Sequence, residues 1–373
     1  MSFHPTDGGA VIYDPTDKRL FALNTTAAFV WLAVRDGRTH EAIRSELAAT
    51  FELTEDEAEN WMDQTLSSLG QLISDGADRR DEVLSDTVST LSIGTDYRLL
   101  DKILRISAPD AALQLIDSMM GHLRRSRSDP PPDNADVSIS IEVDGQNFVV
   151  SSSGDPTVIK QPRELVAEVE RRIVQDLVPR VPHFLAFHAA LLDWWGRAVL
   201  FPAPSGSGKT TLSAVLARQS WYCMTDEMAL LDRSLSWQGL PFLPCIKAEN
   251  YPLIASLYPT FGDVVEHERA GRQVKFLPLP MRTGRVQVST VIFPEYRVGA
   301  EGALEPLQPL DGLQRLLGLC VYVPPGFTAA DVPKLLKWHK EVEYFSFKFS
   351  SPSQAVRMCE QVRKVLGEGA ASV

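Results

Sequence analysis

The stretch Ala198-Val199-Leu200-Phe201-Pro202-Ala203-Pro204-Ser205-Gly206-Ser207-Gly208-Lys209-Thr210-Thr211 decides the fold. Its first four residues form a short apolar run, the pattern of a buried strand. A glycine-rich loop follows, and residues 210–218 have helix-forming character. Strand, glycine-rich loop and helix together are the context a P-loop needs. The spacing therefore predicts a nucleoside triphosphate site formed by Pro204, Ser205, Gly206, Ser207, Gly208, Lys209, Thr210 and Thr211. In such a loop, backbone N–H groups point at the phosphates and the helix N-terminus adds partial positive charge. Lys209 is expected to bridge the β- and γ-phosphate oxygens and the Thr210 hydroxyl to ligate Mg²⁺, which makes ATP and Mg²⁺ the expected cofactors. The pattern G-x-x-x-x-G-K-[ST] opens with glycine, whereas Ala203 stands there. If that position needs positive φ, alanine costs roughly 1 kcal/mol.

A carboxylate pair follows soon after. Trp221-Tyr222-Cys223-Met224 reads as a strand, Thr225-Asp226-Glu227 as its end, and Met228-Ala229-Leu230-Leu231 as the next strand. Most P-loop ATPases carry their second acidic motif much later, and an L-S-G-G-Q segment is absent here. Two adjacent carboxylates beside the phosphates suit two tasks, holding Mg²⁺ and accepting the proton of an attacking hydroxyl. A plain acidic turn is the alternative. Upstream, His188 lies in Phe187-His188-Ala189-Ala190-Leu191-Leu192, an apolar strand expected to pair with the loop strand through the turn Asp193 to Gly196. That brings His188 toward the loop; a satisfied core histidine is the duller reading.

These segments together resemble the HPr kinase/phosphorylase family, in its branch of HPr-kinase-related proteins. The match is firm from about residue 180 to 235. The resemblance implies a fold shared with the phosphoenolpyruvate carboxykinases and homo-oligomeric assembly. It also implies that His188 contacts the phosphate region, Asp226 acts as base on a serine hydroxyl, and Glu227 helps hold the metal. Glu227 stands where the family usually has Asp. The family's later segment that engages HPr is missing, so HPr is not the expected substrate.

The first 76 residues read as a separate compact module. Ala10-Val11-Ile12-Tyr13 and Arg19-Leu20-Phe21-Ala22-Leu23 form a hairpin around the turn residues Asp14-Pro15-Thr16-Asp17. Thr25 or Thr26 can cap a helix through Val34, which Asp36-Gly37 stops. A second helix is expected from His40 to Phe51. A third begins at the capping box Thr54-Glu55-Asp56-Glu57 and carries Trp61, Met62, Leu66, Leu69, Leu72 and Ile73 on one stripe up to Gly76. The order, with Leu23-Asn24-Thr25-Thr26-Ala27 and Asp36-Gly37-Arg38-Thr39, resembles the PqqD-like family of small winged-helix modules that recognise the leader of a ribosomally made peptide. The resemblance implies a precursor-peptide partner. The leader would add as a strand beside Arg19, Leu20, Phe21, Ala22 and Leu23, against the third helix. A merely structural helical cap is the alternative.

Between these modules, residues 77–84 read as a linker. A helix starting at Ser107 with Pro109 just inside it is expected to run to Met120. Arg124-Arg125-Ser126-Arg127 belongs to a loop, solvated or gripping an acidic group. Val137 to Val143 and Phe148 to Val150 form a hairpin, and a helix from Arg163 to Leu177 has Leu165, Val169 and Ile173 on one face. Downstream, Lys247, Arg269, Arg272 and Lys275 are candidates for neutralising transition-state charge, each with surface exposure as the alternative. Val288 to Phe293 is a strand ended by Pro294, and helices over Leu310–Leu317 and Pro352–Leu366 pack on the sheet.

Net charge is −11, with 13 acidic against 5 basic residues in positions 1–76. This argues against a nucleic-acid binder, which needs a basic face. No apolar run approaches the roughly 20 residues of a membrane span, and no secretory signal is visible. The four cysteines are scattered without a C-x-x-C pair, so idle thiols in a cytoplasmic protein are expected. The fold class is thus an α/β P-loop catalytic domain of HPr-kinase/PEP-carboxykinase type at 85–373, preceded by a winged-helix-like α+β domain at 1–76. The expected function is a kinase acting on a Ser/Thr hydroxyl of a peptide. An ATP-gated peptide chaperone and a small-molecule kinase stay open.

Overall fold

The computed structural model describes residues 1–6, 8–15, 18–51, 53, 54, 57–59, 61, 62, 65, 93–126, 129, 132 and 134–365. Two compact units emerge. One joins the N-terminal residues to Gln308–Glu341, and the other joins the described residues from Ile93 through Leu307 to Val342 onward. The linker 77–84, and Leu66, Leu69, Leu72 and Ile73 of the expected third helix, lie outside the described residues.

The first unit holds an antiparallel sheet of Ser2–Thr6, Gly9–Asp14 and Arg19–Asn24. The expected hairpin is present, and Ser2–Thr6 adds a strand that its proline-containing sequence conceals. An outermost strand tolerates Pro5 because one side makes no ladder. Helix Thr25–Arg35 is capped by Asn24, not by Thr25 or Thr26: the Asn24 side chain accepts from the Ala27 N–H at 2.8 Å. Asp36 closes it and Gly37 turns left-handed, as expected. Helix His40–Phe51 follows. The capping box forms, with the Thr54 N–H donating to Glu57 at 2.9 Å.

The sheet is buried on both faces. Ala10, Ile12 and Leu23 pack with Ala28 and Trp31 of the first helix. Strand alternation turns Val11 and Tyr13 the other way, yet both are buried too. There the Tyr13 hydroxyl donates to the Phe327 carbonyl at 2.9 Å and its ring meets Phe327 edge-on. Helix Pro309–Leu317, expected on the sheet that carries the glycine-rich loop, lies in this unit against Arg19–Asn24. The second face of the three-stranded sheet is completed from 308–341.

The second unit is built on a mixed sheet in the order Trp237–Gly239, Met228–Leu231, Leu185–Trp194, Arg197–Pro202, Val288–Tyr296, Glu343–Phe349 and Leu304–Pro306. Arg197–Pro202, Val288–Tyr296 and Glu343–Phe349 run parallel, and Leu185–Trp194 pairs antiparallel with the first of them. Val288–Tyr296 does not stop at Pro294. Its pairing with Arg197–Pro202 ends at Val291, so Pro294 removes no ladder bond on that side. Helices Lys209–Ala217 and Pro352–Val365 bury Leu212, Val215, Met358 and Val362 against Phe201, Phe347 and Phe349.

Two smaller sheets complete this unit. Ile93–Leu99, Lys102–Ala108, Val137–Asp144, Asn147–Ser151 and Thr157–Ile159 form one. Ser107 is a strand residue there, and the following helix starts at Asp110 with Pro109 as its cap, correcting the expected start. The first two strands escaped the sequence reading because charges interrupt their alternation; the fold pairs one set, Arg105 to Asp96 at 2.8 Å. Helix Leu165–Leu177 lies close to this sheet. Cys245–Lys247, Arg272–Phe276 and Glu266–Arg269 form the other sheet. Among the described residues, no helix is long and apolar enough to cross a membrane, and none of the four cysteines forms a disulfide.

Candidate functional site

Strand register brings the expected chemistry to one level of the large sheet. Leu185–Trp194 is the pivot. On one side Ala189 pairs with Pro202, where the glycine-rich loop begins. On the other, Thr225 pairs with Leu191 and Met228 with His188. Asp226 and Glu227 therefore interrupt a single edge at the level of Ala189 and Ala190. Thr225 makes the break: its hydroxyl accepts from the N–H groups of Glu227 at 3.3 Å and Met228 at 3.2 Å. Gly239 backs this turn so closely that an added Cβ would lie 2.6 Å from the Thr225 side chain.

The loop takes the shape its glycines permit. Gly206 and Gly208 have φ of 90° and 87°. Ala203 is absent from the left-handed region, so its departure from the glycine pattern brings no strain. The Ser207 carbonyl accepts from the Tyr296 N–H at 3.1 Å, and Gly208 sits against the Phe349 ring. The parallel strands thus end together around the loop, the usual place for ligands in open α/β sheets. Lys209 is buried and donates to the carbonyls of Ala203 and, at 3.2 Å, Pro204. Burial holds its ammonium below the usual lysine range, against the pull of Asp226 and Glu227.

The two carboxylates have different surroundings. Asp226 is buried and accepts from the Ser213 hydroxyl at 2.9 Å; the Thr210 hydroxyl bonds it as well. Burial pushes its carboxyl up to about 6 despite these bonds. The Glu227 side chain is 40% exposed and accepts from Arg269 at 3.1 Å. His188 lies within electrostatic reach of Lys209 and Glu227; burial first, then Lys209, holds its ring below the usual imidazole range, so it is neutral near pH 7.

Of the four basic candidates, two join the site. Lys247 donates to the Ser205 hydroxyl at 2.9 Å. Arg269 spans Glu227 and Glu170 of helix Leu165–Leu177, the latter at 3.5 Å. Arg272 is exposed at the far end of the hairpin turn. Lys275 pairs with Ile246 rather than Lys247, which turns it to the opposite face, over Tyr251 and Phe261 and bonded to the Gly262 carbonyl at 3.0 Å. Arg124 pairs with Asp117 at 3.1 Å and lies over Tyr97, and Arg125 pairs with Asp129 at 3.9 Å.

Glu170 is the residue sequence reasoning missed. It is almost fully buried, and its Oε2 has no hydrogen-bond partner. Burial pushes its carboxyl up to about 7, Arg269 opposing and Glu227 adding to the rise. Three charges on the inner face of an amphipathic helix, Glu170, Arg172 and Asp176, were the available signal.

No curated protein matches the chain. Residues 9–72 match the family model of Coenzyme PQQ synthesis protein D (PqqD). The matched span begins at the hairpin Gly9–Asn24, takes in both helices after it, and lies wholly outside the glycine-rich loop and its carboxylates. Residues 9–72 are therefore a PqqD-type domain within a longer chain.

Proposed function

We propose that the chain is an ATP- and Mg²⁺-dependent kinase that phosphorylates a Ser/Thr hydroxyl of a ribosomally made peptide, with the leader held by the PqqD-type domain. The observation that carries this reading is the convergence of Lys209, the Thr210–Asp226 pair, Glu227 and Arg269 at one level of the sheet.

Bound Mg²⁺ would neutralise triphosphate charge and orient the transferring group. Thr210 and Asp226 fit its side of the site, being a hydroxyl and a carboxylate already joined at the start of the loop helix. Among the described residues no cage of three or more His, Cys, Asp or Glu exists. That suits a cation held by one or two carboxylates and the phosphates themselves. Glu227, the more exposed carboxylate, suits the acceptor. This division reverses the one implied by the HPr kinase resemblance.

In the transfer, the bond from the γ-phosphorus to the bridging oxygen breaks as the acceptor oxygen bonds to phosphorus. Glu227 takes the hydroxyl proton, and ADP departs with the bridging oxygen. Lys209 and Arg269 neutralise the developing charge. Glu170 keeps Arg269 in place, and neutral His188 can hydrogen-bond the acceptor.

Mutant kinetics test these roles. Glu227→Gln is expected to lower kcat about 100-fold or more with an unchanged Mg²⁺ midpoint. Asp226→Asn is expected to raise the Mg²⁺ concentration needed for half-maximal rate. The opposite pattern would return the roles to those of the HPr kinases. Peptide binding without ADP formation by the unaltered protein would replace the kinase reading by the gated chaperone.

A further inference from the structure

We propose that Tyr296 is the platform on which the nucleobase of the bound triphosphate stacks, an assignment that rests on the nucleotide-binding reading above. Sheet order sets the direction of the ligand. His188 and the turn that carries Asp226 and Glu227 lie on one side of Arg197–Pro202, and Val288–Tyr296 and Glu343–Phe349 lie on the other. With the γ-phosphate toward the carboxylates, the nucleoside end leaves the loop on the side of Tyr296.

Tyr296 is fitted to meet it there. Its N–H is fixed to the Ser207 carbonyl at 3.1 Å. Its Cβ lies 3.3 Å from where a Gly208 side chain would begin. Its ring and the Phe349 ring make a T-shaped pair, centroids 5.9 Å apart and planes at 80°. The ring is thus held in place while 52% of the residue stays exposed. An exposed aromatic locked to the phosphate loop gains from covering by a flat base. Stacking reads the size of the π-face rather than its hydrogen-bonding edge. The ligand class is therefore a purine nucleoside triphosphate, with little discrimination between ATP and GTP.

Calorimetry with Mg-ATP and with inorganic tripolyphosphate separates the platform from the phosphate cradle. Tyr296→Ala is expected to raise the Kd of ATP at least fivefold while leaving that of tripolyphosphate within twofold. Tyr296→Phe should keep both within twofold of the parent. If Tyr296→Ala leaves ATP binding unchanged, or weakens both ligands equally, the platform is refuted. Lys209→Ala must weaken both ligands. If it changes neither, or the parent binds neither, the nucleotide reading itself falls and the platform with it.

Discussion

Glu170 buries a carboxyl whose Oε2 has no hydrogen-bond partner. Its carboxyl titrates near 7 in the fold against 4.5 for the free side chain. Between those values the folded chain keeps a proton that the unfolded chain has released, so this group's contribution to stability is lost as pH rises through about 7. Glu170→Gln preserves shape and cannot ionise. The unfolding stability of the variant relative to the parent should therefore improve from pH 5 to pH 8, by at most about 3 kcal/mol at 1.36 kcal/mol per pKa unit. Urea unfolding at the two pH values checks this; a relative stability that falls with pH would contradict the burial account. The same change leaves Arg269 with one carboxylate fewer, so kcat should fall even where stability rises. At this scale the sequence was partly legible. Lys209, Asp226 and Glu227 stand in a motif whose local spacing encodes their meeting. Arg269 and Glu170 meet through strand pairing and helix packing between segments roughly a hundred residues apart, which no local pattern records. Arg272 and Lys275 were equally plausible by charge alone; strand register turns Lys275 away from Lys247, and Arg272, though paired with Arg269 across the hairpin, stays exposed.

Elements position the site through a few close approaches. Gly239→Ala would push a methyl to within 2.6 Å of Thr225 and 2.7 Å of the Met224 carbonyl. Neither can yield, one being buried and the other backbone. The substitution should destabilise by about 2 kcal/mol or more, within the range for overpacking, and displace the carboxylate turn. Thermal unfolding together with ATP turnover checks both effects. In the first unit, Arg19–Asn24 is an outer strand of its sheet, the kind of edge to which an extended peptide can add. Phe21 is half-buried on this strand, beneath the Arg19 guanidinium at 5.0 Å. Phe21→Ala should raise KM for the full-length precursor tenfold or more, with kcat for the leaderless core peptide unchanged. Equal KM values would move the leader away from this edge. Helices and strands with clean periodicity, such as His40–Phe51 and the hairpin Val137–Ser151, were readable in advance. Ile93–Leu99 and Ser2–Thr6 were not, since charges or proline mask their alternation.

The whole molecule is organised differently from a chain of consecutive modules. The three-stranded sheet buries one face under its own helix and the other under residues from 308–341. A sequence read from left to right cannot reveal that return, because each part is locally unexceptional. Removing residues 1–76 should therefore uncover the surface around Phe327 and cause aggregation, measurable by light scattering. A monodisperse truncated chain would show that 308–341 needs no such cover. For this reason the tethering of substrate is better tested by point changes on the peptide edge than by deletion. The central claim, transfer of phosphate to a peptide, has one direct measurement. A short peptide encoded beside this chain's gene is incubated with the protein and Mg-ATP, and its intact mass is recorded, with Lys209→Ala in parallel. The account predicts a gain of about 80 Da, the mass of a phosphoryl group, that is absent with Lys209→Ala. A peptide that binds and keeps its mass, or gains it equally with the variant, would contradict the account.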